Sequence, residues 1–160
     1  MTDTLPTRRA LVTGAGKRLG RAMALYLGQR GYDVAVHYAS SSAGADEVAG
    51  EIMAMGRQSV AMQADLLSED AVQGLMLRAT EALGGPVHVL VNNASIFEHE
   101  TFESTTRESW DRHMESNLRA PFVLTQALAA QIPAPVMDEM NEPVAQGLVV
   151  NMIDQRVRKL

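Results

Sequence analysis

The sequence predicts a doubly wound α/β domain built on a parallel sheet. Three observations carry this: five short apolar runs of strand length, four intervening segments of helical periodicity, and a glycine-rich stretch, TGAGKRLG (residues 13–20), between the first run and the first helix. Strands that alternate with helices imply right-handed βαβ crossovers and a sheet covered on both faces.

Each element follows in order. Ala10 to Thr13 is the first strand, after which Leu19, Met23, Tyr26 and Leu27 recur at helical spacing until Gly31 stops them. Tyr32 to Tyr38 is the second strand. Beyond the turn Ser40 to Ser42, residues Ala45, Val48, Ile52 and Met55 mark one face of a second helix. Residues 58–64 form the third strand. Ser68 suits an N-cap, Glu69 and Asp70 complement the first-turn dipole, and Val72, Leu75, Met76, Ala79 and Leu83 make the apolar stripe of the third helix. Residues 87–93 are the fourth strand, and one long helix is expected from about Thr106 to Ala130, with Trp110 and Met114 facing the core. Gly147 to Ile153 is the fifth strand. The intervening residues 131–146, with three prolines and several acids, read as a surface loop.

Composition narrows the function classes. A chain of 160 residues suits one core, and 46% hydrophobic with 21% charged residues is an ordinary soluble balance. A net charge of -5 argues against a nucleic-acid partner, which demands a basic surface. With no cysteine there is no disulfide, thiolate nucleophile or cysteine-held metal, and no apolar run is long enough for a membrane span. These features predict a cytoplasmic protein. His88, His99 and His113 lack metal-ligand spacing and read as structural or solvated.

The glycine stretch lies where this architecture places a phosphate group, between strand and helix. Without a Cβ the backbone N–H groups approach an anion closely, and the helix N-terminus adds donors and a favourable dipole. A plain strand-to-helix turn is the alternative use of the same glycines. The end of the second strand, His37-Tyr38-Ala39-Ser40-Ser41-Ser42, carries no carboxylate for a ribose diol, while Lys17 stands in the facing loop. That pattern favours NADP over NAD; a solvated serine turn beside a surface lysine is the alternative. Farther on, Pro121 cannot donate the N–H that would satisfy the carbonyl of Asn117 in the same predicted helix, so a kink is expected there.

Taken together, these segments resemble the short-chain dehydrogenase/reductase family, whose fold is Rossmann-like. Its pattern of Thr-Gly, three residues, Gly, one residue, Gly is matched at Thr13, Gly14 and Gly20, with Arg18 in place of the middle glycine. Residues 63–66 (QADL) are similar to the family segment whose aspartate contacts adenine, which implicates Asp65 and Leu66. Residues 91–95 (VNNAS) resemble the fourth-strand signature, bringing in Asn93, Ala94 and Ser95, and residues 116–122 (SNLRAPF) resemble the helix with the catalytic asparagine, here Asn117. The resemblance assigns NADP to Gly14, Lys17, Arg18, Leu19, Gly20, His37, Tyr38, Ser40, Ser41, Asp65, Leu66, Asn93, Ala94 and Ser95.

The arginine in the loop and the continuation NNASIF are similar to pteridine reductases. That subgroup implies a pterin-like small-molecule substrate, held by Arg18 and Ser95 and stacked on Phe97, with Asp154 as a catalytic carboxylate beside Asn117. Serines replace the arginine that the subgroup carries after its His-Tyr pair, leaving more of the 2′-phosphate to Lys17.

The family reaction also uses a tyrosine followed four residues later by lysine. Tyr26, Tyr32 and Tyr38 lack that lysine, and Leu160 comes before the helix expected to carry the pair. Residues 1–160 are therefore expected to form a single dinucleotide-binding domain truncated before that helix, with the fifth strand at a sheet edge and homo-oligomers built by a complete chain. Two functions remain open: an NADPH-dependent reductase of a pterin or related carbonyl or imine, and a non-catalytic dinucleotide-binding module. A methyltransferase of similar architecture is disfavoured by the joint presence of Lys17, Asp65 and residues 92–95.

Overall fold

The parallel sheet has the order β3-β2-β1-β4-β7 in a computed structural model, which describes residues 7–40 and 42–154. Its strands are β1 (Arg9–Val12), β2 (Asp33–Tyr38), β3 (Ser59–Gln63), β4 (Val89–Asn92) and β7 (Leu148–Asn151), all paired in parallel. The chain runs outward from β1 to β3, then returns to place β4 on the other side of β1. Helices α1 (Arg18–Gln29) and α2 (Ser42–Ala54) cover one face, while α3 (Glu69–Ala82) and α5 (Ala120–Gln131) cover the other. The predicted doubly wound fold and its five strands are present.

The two faces are packed differently. Leu75 of α3 and Leu124 of α5 belong to one cluster with Leu11 and Leu90 of the sheet, all four fully buried and each worth about 1.5–3 kcal/mol of transfer free energy. The predicted α3 stripe is buried from Val72 to Leu83, and the Ser68 side chain accepts the Ala71 N–H as its cap. In α1 the face expected from the apolar spacing is displaced. Leu19 and Tyr26 are 63% and 54% exposed, and the buried residues are Gly20, Ala24 and Gly28. Small residues win there because the helix packs close: a Cβ on Gly28 would stand 3.1 Å from Ile52 Cγ1. Met55, expected on the buried face of α2, lies beyond that helix and is 39% exposed.

Two further expectations are corrected. Residues 131–146 are not merely a loop but carry an antiparallel hairpin of β5 (Val136–Met137) and β6 (Pro143–Val144), turned at Asn141 with φ 61°. The single long helix is three pieces: α4 (Arg107–Met114), a π-helical turn over Glu115–Arg119, and α5. Trp110 and Met114 are 57% and 39% exposed and belong to a solvent-facing apolar stripe continued by Leu118 and Phe122 at four-residue spacing. That stripe faces away from the sheet, so its apolar character did not mean core.

The π turn has a local cause. The Ala120 N–H donates to the Glu115 carbonyl, five residues back, and Pro121 has no N–H at all. The carbonyls of Ser116 and Asn117 thereby lose their i+4 donors, and the winding widens.

Candidate functional site

The reversal of strand order opens a crevice between the C-terminal ends of β1 and β4, where doubly wound sheets bind ligands. Thr13 and Asn93 stitch its walls together. The Thr13 hydroxyl accepts the N–H groups of Asn93 and Ala94 at 2.9 and 3.0 Å, and the Asn93 side-chain amide donates to the Thr13 carbonyl at 2.9 Å. A cleft of about 500 Å³ lies over this junction. Every described residue assigned to NADP from the sequence lines it; Ser41 lies outside the described residues.

The loop that floors the cleft is tightly wound. Gly14 has φ 63°, a left-handed conformation that glycine adopts without strain. A Cβ on Gly20 would run into the Gly14 carbonyl and the Asn93 amide, so the start of α1 can approach the loop only through glycine. Arg18 takes φ 53° at the position where the family pattern has glycine, a conformation costing a side-chain-bearing residue about 1–2 kcal/mol. Sequence reading missed Gly16 and Gly44. A Cβ on Gly44 would sit 2.5 Å from the Gly16 carbonyl, so this pair lets the first turn of α2 close against the loop.

His37 lines the cleft with its ring turned inward. It is 1% exposed; Nδ1 accepts the Gly14 N–H at 3.1 Å and Nε2–H donates to the Ala64 carbonyl at 3.0 Å. Both nitrogens are thus used within the protein, and burial lowers the imidazole pKa, keeping it neutral. Lys17, Arg18, Ser40 and Asp65 are exposed around the rim. The Asp65 carboxylate also accepts the Leu67 N–H at 3.0 Å, which fixes the bend after β3.

The substrate-side candidates are grouped less tightly. Ser95 lines the cleft, whereas Phe97, 67% exposed, Asn117 and Asp154 do not. Asn117 is joined to the cleft wall through Ile96: its Oδ1 accepts the Ile96 N–H and its Nδ2 donates to the Ile96 carbonyl, both at 2.9 Å. Asp154 is exposed and lies three residues beyond Asn151, whose Oδ1 accepts an amide N–H of Asn92 at 2.8 Å across β4 and β7. Of the tyrosines, Tyr38 lines the cleft. Tyr26 and Tyr32 line a separate hollow of about 610 Å³ at the opposite, N-terminal end of the strands.

A family model described as short chain dehydrogenase matches residues 8–153. The chain belongs to the short-chain dehydrogenase family. It is 38% identical over 126 residues to the 3-oxoacyl-[acyl-carrier-protein] reductase FabG of Staphylococcus aureus, an alignment covering 79% of this chain and 51% of that protein. Among solved structures it resembles FolM alternative dihydrofolate reductase 1 from Brucella suis in complex with NADP, with TM-score 0.83 and 35% identity over 96% of this chain and 59% of that one. A blue fluorescent protein from a metagenomic library, in complex with NADPH, gives TM-score 0.83 and 33% identity over 95% and 57%. This short-chain dehydrogenase chain spans about half the length of the curated relatives it matches. Among its described residues no helix is long and apolar enough to cross a membrane.

Proposed function

We propose that this chain forms the NADP-binding part of a short-chain reductase whose substrate is a flat, pterin-like heterocycle or a related carbonyl or imine. The carrying observation is the cleft at the β1/β4 switch point. It combines a loop closed by Gly14 and Gly20, Lys17 on the rim, and a β2 end with Ser40 and no carboxylate. The fit to NADP follows from that donor set. Loop and helix N–H groups suit a pyrophosphate, Lys17 and the serine hydroxyl suit a 2′-phosphate, and the Asp65 carboxylate can accept from an adenine amine. Relatives of similar fold were crystallised with NADP or NADPH, which supports the same choice.

NADPH bound there supplies a hydride. The chain's own residues orient and enclose: Arg18 offers a cation to phosphate and substrate, Ser95 a hydroxyl, and Phe97 an aromatic face against which a planar ring can stack. Asn117 holds the cleft wall through Ile96, and Asp154 offers a carboxylate to a substrate amine or a proton carrier. FolM is described as a dihydrofolate reductase, and dihydrofolate contains a pterin ring, which favours the pterin reading. A cytoplasmic setting fits this reading, as does assembly of copies through the stripe of Trp110, Met114, Leu118 and Phe122.

A non-catalytic binding module is the second reading, favoured by the absence of lysine four residues after Tyr26, Tyr32 or Tyr38. Calorimetric titration of NADPH and NADH into the chain and its Lys17→Glu variant tests the cofactor assignment. Loss of a charge-assisted contact should weaken NADPH about tenfold or more while leaving NADH nearly unchanged. Equal losses for both cofactors would refute the phosphate role of Lys17. NADPH binding with no uptake of a free pterin by the NADPH-saturated chain would move the conclusion to the binding module.

A further inference from the structure

The segment that carries Ser95 and Phe97 has no regular secondary structure, yet it is fastened to the α4 and π-helical segment at two successive points. Asn117 takes both backbone groups of Ile96. One turn earlier, His113 Nε2 accepts the Glu98 N–H at 3.2 Å while its Nδ1–H donates to the Ser109 carbonyl at 2.8 Å. The Glu98 side chain adds an ion pair with Arg112 at 2.6 Å. Ile96 and Glu98 flank Phe97, so both grips fall on the backbone either side of the aromatic ring.

We infer that His113 is a positioning residue that, together with Asn117, fixes the backbone on both sides of Phe97 and so sets where that ring is presented; the link to substrate rests on the pterin-like reading proposed above. The tautomer follows from the geometry. Nδ1 must carry the proton to reach Ser109, which leaves Nε2 as the acceptor for Glu98. The four-residue spacing of His113 and Asn117 puts both on one side of the widened helix. Residues 95–100 form no helix or strand, and ordering each such residue costs backbone entropy, so grips on the backbone itself matter there. The Arg112–Glu98 pair is half exposed and cannot supply the same constraint, because a screened surface ion pair adds little.

The test is amide hydrogen exchange on the NADP-saturated chain and its His113→Ala and His113→Gln variants, with free pterin titrated into the same samples. In H113A the Glu98 amide should exchange about tenfold faster, while Leu11 and Leu90 in the sheet keep their protection. H113Q can place Oε1 near the same N–H and should restore most of the loss. NADP affinity should hold in all three proteins, and pterin affinity should fall severalfold in H113A alone. Unchanged Glu98 exchange in H113A overturns the inference, and so does a uniform loss of protection across β1 and β4 in both variants, which would make His113 a packing residue. If the parent takes up no pterin, the substrate reading falls, while Glu98 exchange still decides the role of His113.

Discussion

The backbone N–H of Gly14 donates to Nδ1 of His37 at 3.1 Å, so the turn that opens the glycine loop hangs on a buried imidazole of β2. The same ring reaches the Ala64 carbonyl through Nε2–H, linking the loop, β2 and the end of β3. His37 therefore shapes the cleft from behind rather than offering a free nitrogen to it.

That arrangement makes stability depend on pH. Burial holds His37 below its ordinary value of 6.5, and His88, whose Nδ1 accepts the Arg9 N–H, is lowered mainly by burial as well. The unfolded chain takes up protons as pH falls through about 6.5, while the native chain does not. Stability should be complete above that value and decline as pH drops toward the lowered native pKa. Urea unfolding at intervals from about pH 7.5 to about pH 5.5 should show a falling free energy, with a shallower fall in His37→Gln. A flat profile in the parent would remove this role.

Arg18 pays a conformational cost that glycine would avoid, and nothing in the packing of the loop requires its side chain. Arg18→Gly should leave the unfolding free energy unchanged or raise it by up to about 1 kcal/mol, the relieved strain less glycine's entropy cost. NADPH should nevertheless bind about tenfold more weakly, as a charge-assisted contact is lost. If the variant binds as tightly as the parent, Arg18 does not contact the cofactor.

Much of the cleft lining was legible in the sequence, because a glycine loop between a strand and a helix depends on local chain chemistry. The spacing of Thr13, Gly14 and Gly20, the serines after Tyr38 and the Asn-Asn-Ala-Ser run each announce themselves over a few residues. What escaped notice depended on partners distant in sequence. Gly44 looks like an ordinary residue of α2 until the Gly16 carbonyl is seen against it, and His113, structural or solvated from the sequence, shows its partner only when Glu98 folds back onto it. The α1 face was misjudged for a related reason. Apolar spacing reports which residues dislike water, whereas Gly20, Ala24 and Gly28 are buried by how closely the helix approaches its neighbours.

Glycine substitutions separate close approach from mere permissiveness. Gly20→Ala would drive a Cβ into the Gly14 carbonyl and the Asn93 amide, and should cost about 1–3 kcal/mol with loss of NADPH binding. Gly74 lies within α3 with nothing within 4 Å of its virtual Cβ. Gly74→Ala should therefore stabilise by about 0.5–1 kcal/mol and leave binding intact. Equal effects in thermal melts of the two variants would show that the loop does not need its tight closure.

Pro121 offers the sharpest test of how the helix shapes the cleft wall. The π turn exists where Ala120 bonds to Glu115 and Pro121 can bond to nothing, and it sets the angle at which Asn117 meets Ile96. Pro121→Ala supplies the N–H that the Asn117 carbonyl lacks at i+4, so the segment should wind toward a regular α-helix. Each residue removed from the bulge turns the preceding helix by about 100°, which would carry Asn117 away from Ile96. The variant should melt no lower than the parent, because relieving an interior helix proline, a penalty of about 3 kcal/mol, offsets the two hydrogen bonds to Ile96 at about 1 kcal/mol each. Yet the Ile96 amide should lose its protection, and NADPH affinity should fall, since Ile96 and Ser116 both line the cleft. Retained protection at Ile96 would mean that the side-chain grip of Asn117, rather than the missing N–H of Pro121, is what maintains the π turn.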